Sequence, residues 1–229
     1  MIAFMRYPGG KGKCFQQLIN LMPPHETYIE SHLGGGAVMR HKLSATNNIG
    51  VDIDPAVIER WRHTDSATCT LVQGDAVEFL TNYPFIGTEL VYADPPYLVQ
   101  TRRRTRVYRH DYSEQQHGQL LNLLKQLPCM VMVSGYDHPF YSSELAGWQK
   151  LTFTAMTHAG LREETVWMNY ERPVVLHDGR YIGNSFHERL TVQRRQQRIR
   201  ERISRLPSIE RGELLKWLQQ HYKFDLGAM

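Results

Sequence analysis

Cysteine is scarce in this chain of 229 residues: there are three, Cys14, Cys69 and Cys129, an odd number never spaced as C-x-x-C. That excludes a disulfide framework and a zinc knuckle. Long apolar runs are missing too. The longest, around Met130-Val131-Met132-Val133, falls far short of the roughly 20 residues that span a bilayer, so no membrane partner is expected. No signal peptide precedes the early charges at Arg6, Lys11 and Lys13, and the expected setting is a reducing cytoplasm. None of the eleven histidines stands in H-E-x-x-H or a similar spacing, so no metal is expected either. What is present is 41% hydrophobic and 10% aromatic residues, enough for the packed core of one α/β domain with a small appendage.

Acid is absent from one strip and rare in another. Residues 101–109 hold five arginines and no carboxylate, and residues 188–205 hold seven against Glu188 and Glu201. The net charge is +4, so the remainder of the chain is acidic. Two basic strips on an acidic body suit a polyanion, because each Arg that neutralises a phosphate releases a counterion. For the second strip a solvated, internally paired helix face is the competing reading.

The stretch "RYPGGKGKCF" (6–15) has the look of a phosphate-cradling loop. A Walker A loop needs glycine five positions before its Gly-Lys pair and Ser or Thr after it. Here those places hold Tyr7 and Cys14, which excludes a triphosphate site of that kind.

From Thr27 to Val133 the chain alternates strand and helix signals. "TYIES" (27–31), "NIGVDID" (48–54), "TCTLVQGD" (68–75), "ELVYADPPY" (89–97) and "CMVMVSG" (129–135) are β-prone. Helices are expected from Ala37, from Pro55 as a first helical residue, after Asp75, and after Ser113, with Gln116 completing a capping box. Such alternation implies a mostly parallel sheet with helices on both faces. "WQKLTFTAMT" and "EETVWMNYE", separated by "HAGLR", leave no room for a helix and predict an antiparallel hairpin at the sheet edge. Beyond Pro173 the expectation is loop, then two helices broken near Pro207.

In such sheets the ligand crevice lies at the strand C-termini. After the first strand come Gly34-Gly35-Gly36, either a tight turn or a backbone that lets a ligand approach the next helix N-terminus. Asp52 and Asp54 follow the second strand, and each suits either ribose hydroxyls or a helix cap. Asp75 follows the third with the same two readings, its ligand being a purine amine. Asp94-Pro95-Pro96-Tyr97 ends the fourth. Its two prolines fix φ and remove two donors, leaving a rim of acceptors beside an aromatic ring. That rim suits a planar amine, with its hydrogens on Asp94 and the Pro95 carbonyl and its ring on Tyr97.

With "YPGGK" (7–11), "YIESHLGGGAV" (28–38), "VDID" (51–54), "GDAVEFL" (74–80), "ADPPY" (93–97) and "YRHDYSEQQH" (108–117), the chain resembles the Dam-type (D12 class) DNA adenine methyltransferases over roughly residues 5–172. The resemblance implies a Rossmann-like methyltransferase fold with a seven-stranded sheet, and S-adenosylmethionine as cofactor, leaving as S-adenosylhomocysteine. It implies methylation of the 6-amino group of adenine in double-stranded DNA after base flipping. Catalysis would rest on Asp94, Pro95, Pro96 and Tyr97. Tyr7, Lys11, Glu30, Gly34, Gly36, Asp52, Asp75 and Asp94 would surround the cofactor. Arg6 and, in a basic insert at about 98–112, Arg102, Arg103, Arg104, Arg106 and Arg109 would contact DNA. The catalytic domain would occupy 1–173 and a basic, mainly helical extension 174–229.

The chain departs from the pattern in two places. Ser31 and His32 stand where the family often has Pro and an aromatic, and only 58 positions separate Gly36 from Asp94. That leaves no room for the helical target-recognition domain that larger members insert. A bacterial or phage-encoded monomer is expected, in restriction-modification, phage protection or regulation. Methylation of RNA and a catalytically silent DNA-binding module are the alternatives. A nicotinamide oxidoreductase is disfavoured because Met39 occupies the third glycine position of its fingerprint.

Overall fold

Five apolar runs become five parallel strands: β1 (Thr27–Glu30), β2 (Asn47–Asp52), β3 (Thr70–Gln73), β4 (Glu89–Ala93) and β5 (Met130–Gly135). The computed structural model describes residues 11–12, 14–64, 69–101, 109–157 and 160–222. An antiparallel pair, β6 (Gln149–Thr157) and β7 (Gly160–Met168), completes one seven-stranded sheet in the order β3-β2-β1-β4-β5-β7-β6. This is the Rossmann-like methyltransferase fold. β7 starts ahead of the expected Glu163, because the ladder continues until Thr157 pairs with Gly160.

The strand order explains the sequence pattern. All five residues of β4 are buried, so both faces of this central strand are covered, and its run of apolar residues is continuous rather than alternating. β3, at one edge, exposes Thr70 and Gln73. The order reverses between β1 and β4, which pair with each other, and this reversal opens the crevice at their C-terminal ends.

The helices start where local chemistry dictates. α2 (Ala37–His41) follows Gly36, and α3 (Pro55–Thr64) begins on a proline. α4 (Ala76–Asn82) is capped by Asp75, and α5 (Glu114–Leu124) opens with the Ser113–Gln116 capping box. A short α6 (Pro139–Glu144), absent from the sequence expectations, carries Tyr141 into the core. There Tyr141 joins Leu120, Leu124, Val91, Val131 and Trp167.

This sheet unit comprises residues 1–15 and 25–172, and a second compact unit comprises 16–24 and 173–229. In the second, α1 (Phe15–Ile19) leads to Asn20, which donates to the Tyr181 carbonyl at 2.6 Å, and His177 N–H donates to the Met22 carbonyl at 2.9 Å. Two helices follow, α7 (Phe186–Ser204) and α8 (Ser208–His221), broken around Pro207.

Candidate active site

Lys11, Glu30, Gly34, Gly36, Asp52 and Asp94 line one cleft of about 770 Å³, counted with its open mouth. The sheet brings these residues together: Glu30 ends β1, Asp52 ends β2, and Asp94 follows β4.

The glycine turn is held from three sides. Gly34 and Gly36 adopt left-handed conformations, with φ of 46° and 54°. Gly34 N–H donates to Asp52 Oδ2 at 2.7 Å, while the Gly34 carbonyl accepts from Trp61 Nε1 at 3.0 Å. Arg40 donates to the Gly35 carbonyl at 2.6 Å and lies 4.1 Å above the Trp61 ring. Asp52 also accepts from Asp54 N–H at 2.9 Å, and burial raises its pKa. Asp52 therefore fixes the turn by direct bonds. Asp54 accepts from Ala56 N–H at 2.9 Å at the start of α3, and the Arg109 guanidinium stands 3.8 Å from it.

Glu30 is buried, and both of its hydrogen bonds fall on Oε2, from the Tyr28 hydroxyl at 3.1 Å and from Met39 N–H at 3.0 Å. Burial pushes its pKa up to about 8, against the opposing pull of those donors. His32 at the cleft wall is bonded on both ring nitrogens, to Ser31 Oγ at 3.0 Å and the Tyr112 hydroxyl at 3.1 Å. Burial lowers its pKa to about 3, so it is a neutral wall element.

The acceptor rim rests on an ionic network. Lys11 Nζ lies 2.6 Å from Asp94 Oδ1 and 3.0 Å from Glu164, and it also donates to the Tyr97 hydroxyl. Tyr97 in turn donates to Glu164 at 2.8 Å. Burial alone would lower the Lys11 pKa, but Asp94 and Glu164 override it and hold the ammonium charged. Ser134 Oγ donates to the same Asp94 Oδ1 at 2.9 Å and meets the Tyr92 hydroxyl at 2.9 Å. Both bonds to Asp94 thus land on Oδ1, and Asp94 is one of the residues that line the cleft.

Two expected contacts take another form. Asp75 spends Oδ1 on capping α4, accepting from Val77 and Glu78 N–H at 2.8 and 3.0 Å, and it is Ala76 that lines the cleft. Tyr97 is buried, its ring 4.4 Å from that of Tyr136, and it is not among the residues that line the cleft. Pro95 is buried, and Pro96 lines the cleft. Tyr7, Arg6, Arg102, Arg103, Arg104 and Arg106 lie outside the described residues.

Ser134 and Glu164 were not anticipated. The pairing of Ala93 with Val133 sets Ser134 beside Asp94, information held in the register rather than in any motif. Glu164 had a weak signal, a carboxylate inside the strand-like run "EETVWM". Among the described residues no three His, Cys, Asp or Glu side chains group as metal ligands, and no helix is long and apolar enough to cross a membrane.

No family model matches the chain, and no curated protein matches it. Among solved structures, an rRNA methylase from Streptococcus thermophilus aligns over 72% of this chain and 98% of its own, at 10% identity and TM-score 0.45. Magnesium protoporphyrin IX methyltransferase from Synechocystis PCC 6803 aligns over 68% and 79%, at 11% identity and TM-score 0.45. TrmK from M. capricolum aligns over 90% and 93%, at 6% identity and TM-score 0.46. Likenesses this distant carry no weight for function, and the fold assignment rests on the strand order itself.

Proposed function

We propose that the protein transfers a methyl group from S-adenosylmethionine to the 6-amino group of adenine in double-stranded DNA. The observation that carries this reading is the Asp94 carboxylate. One oxygen is pinned by Lys11 and Ser134, and the residue lines the cleft beside Pro96 where the strand order reverses.

The residues present fit the cofactor. The Gly34–Gly36 turn offers close backbone approach at the start of α2, Asp52 stiffens that turn, and both line an open cleft with Glu30 and Asp94. When bound, S-adenosylmethionine supplies an electrophilic methyl on a sulfonium. The chain's own residues then do the rest. The lone pair of an adenine amine is delocalised into its ring. Asp94 Oδ2 accepts one amine hydrogen and the Pro95 carbonyl the other, which favours the pyramidal nitrogen with its lone pair exposed. Lys11, Ser134, Tyr97 and Glu164 hold Asp94 in place, and positioning of this kind contributes on the order of several kcal/mol. The proton of the methylated amine passes to water. In a duplex the base first leaves the stack, at a cost of a few kcal/mol.

DNA, rather than RNA, is chosen on the joint resemblance of "YPGGK" and "DPPY" to Dam-type enzymes. Calorimetric titration with S-adenosylmethionine and with NAD tests the cofactor half of the reading. Wild type is expected to bind the former and not the latter, and to transfer methyl groups to duplex DNA about a hundred- to a thousandfold faster than Asp94→Ala. Binding of NAD instead would overturn the reading.

A further inference from the structure

Between Arg194 and Arg205 the chain carries six arginines, at 194, 195, 198, 200, 202 and 205, and one acid, Glu201. The structure places them on α7 and its C-cap, all exposed to solvent. At 3.6 residues per turn, Arg194, Arg195, Arg198, Arg202 and Arg205 fall within an arc of about 100° on one side of the helix. At 1.5 Å rise per residue this stripe is about 16 Å long.

A stripe of like charge on a stable helix needs explanation, because like charges three or four residues apart each cost about 0.2–0.5 kcal/mol. Internal pairing would remove that cost, yet no described acid forms an ion pair with any of these arginines. Glu201, the one carboxylate within reach on the helix, instead accepts from the Gln197 side-chain amide at 2.8 Å. Arg198 reaches only the Arg194 carbonyl, at 3.3 Å. Internal pairing of this solvated helix face is therefore what the described side chains do not support.

We infer that the arginine stripe of α7 is a second nucleic-acid contact, one that grips the phosphate backbone of duplex DNA. The inference rests on the DNA reading above and adds a surface in a different unit of the chain. Its length equals the axial rise of about five base pairs of duplex DNA, which carries one phosphate per strand for every 3.4 Å of helix axis. Arginine suits the task, since its planar fork binds phosphate oxygens in pairs. Contacts to phosphate carry no sequence information, so the stripe supplies affinity and orientation without sequence preference. A chain with no room for a target-recognition insert between Gly36 and Asp94 gains duplex affinity by this route.

The test is the salt dependence of binding. Wild type and the fourfold variant R194Q/R198Q/R202Q/R205Q would be titrated with a fluorescent 24-base-pair DNA duplex across a range of KCl concentrations. Each lost phosphate contact lowers the slope of log K against log[KCl] by about 0.9, so the variant's slope is expected to be shallower by about three to four. Affinity for S-adenosylmethionine and the transfer rate at saturating DNA stay unchanged. Thermal melting reports the fold independently, and removing unpaired like charges leaves the midpoint equal to or above that of wild type. Equal slopes in the two proteins would overturn the inference, as would a wild type that fails to bind the duplex. An arginine-dependent slope in a protein that methylates no DNA would keep the stripe and remove the methyl-transfer reading.

Discussion

Gly36 sits at φ +54° where the chain enters α2, and a Cβ there would overlap the Trp61 ring that packs beneath the turn. Gly36→Ala is expected to destabilise the sheet unit by about 1–3 kcal/mol in urea unfolding and to weaken S-adenosylmethionine binding, because strain and overpacking coincide at one atom. Glu164 makes a different case. It is one of two carboxylates holding the buried Lys11 ammonium, and it also accepts from Tyr97. Glu164→Leu should cost about 3–5 kcal/mol, the usual penalty for removing one partner of a buried pair, and Glu164→Gln less, since an amide oxygen still accepts from both donors. A leucine variant as stable as wild type would show that the network does not hold the rim. Glu30 gives a pH signature. Its folded pKa, raised by burial to about 8, lies above the ordinary 4.5, so the folded state binds the extra proton. The associated stability is complete below about 4.5 and fades as pH rises through about 8, because the unfolded carboxyl has already lost its proton. Denaturation midpoints measured from pH 5 to pH 9 should fall more steeply for wild type than for Glu30→Gln.

Among the elements, those with chemical punctuation were the legible ones. Pro55 marked the start of α3, Asp75 the cap of α4, and Ser113 with Gln116 the capping box of α5, and all three hold in the structure. Ser113→Ala removes an acceptor for Gln116 N–H at 3.2 Å and should lower stability by about 1 kcal/mol, measured as a shift in the thermal midpoint. The continuous apolar runs of β4 and β5 announced central parallel strands, and the missing helix between two β-prone runs announced the hairpin. α6 escaped notice because its six residues, "PFYSSE", are too few to show a helical period. The candidate site divides in the same way. Strand-end motifs named Asp94, Asp52 and the glycine turn directly. Ser134 and Glu164 reach the site through register, which links residues 40 and 70 positions away from Asp94 and leaves no local trace. The motif also gives no hint that the Tyr97 hydroxyl bonds Lys11 and Glu164 or that its ring packs on Tyr136, since these partners too lie far away in the chain.

For the molecule as a whole, the charge distribution and the cleft point to the same kind of substrate. On the proposed reading the sheet unit supplies the acceptor rim for a planar amine, and α7 supplies a run of arginines unmatched by described acids. The measurement that bears most directly on the account is mass spectrometry of nucleosides released from unmethylated duplex DNA after incubation with the protein and S-adenosylmethionine, with Asp94→Ala and an RNA substrate in parallel. The account predicts N6-methyladenine in the DNA digest, none from the Asp94 variant, and sequence context recoverable from the modified positions. Methylated nucleosides in RNA alone, or none in either digest from a protein that still binds the cofactor, would contradict it.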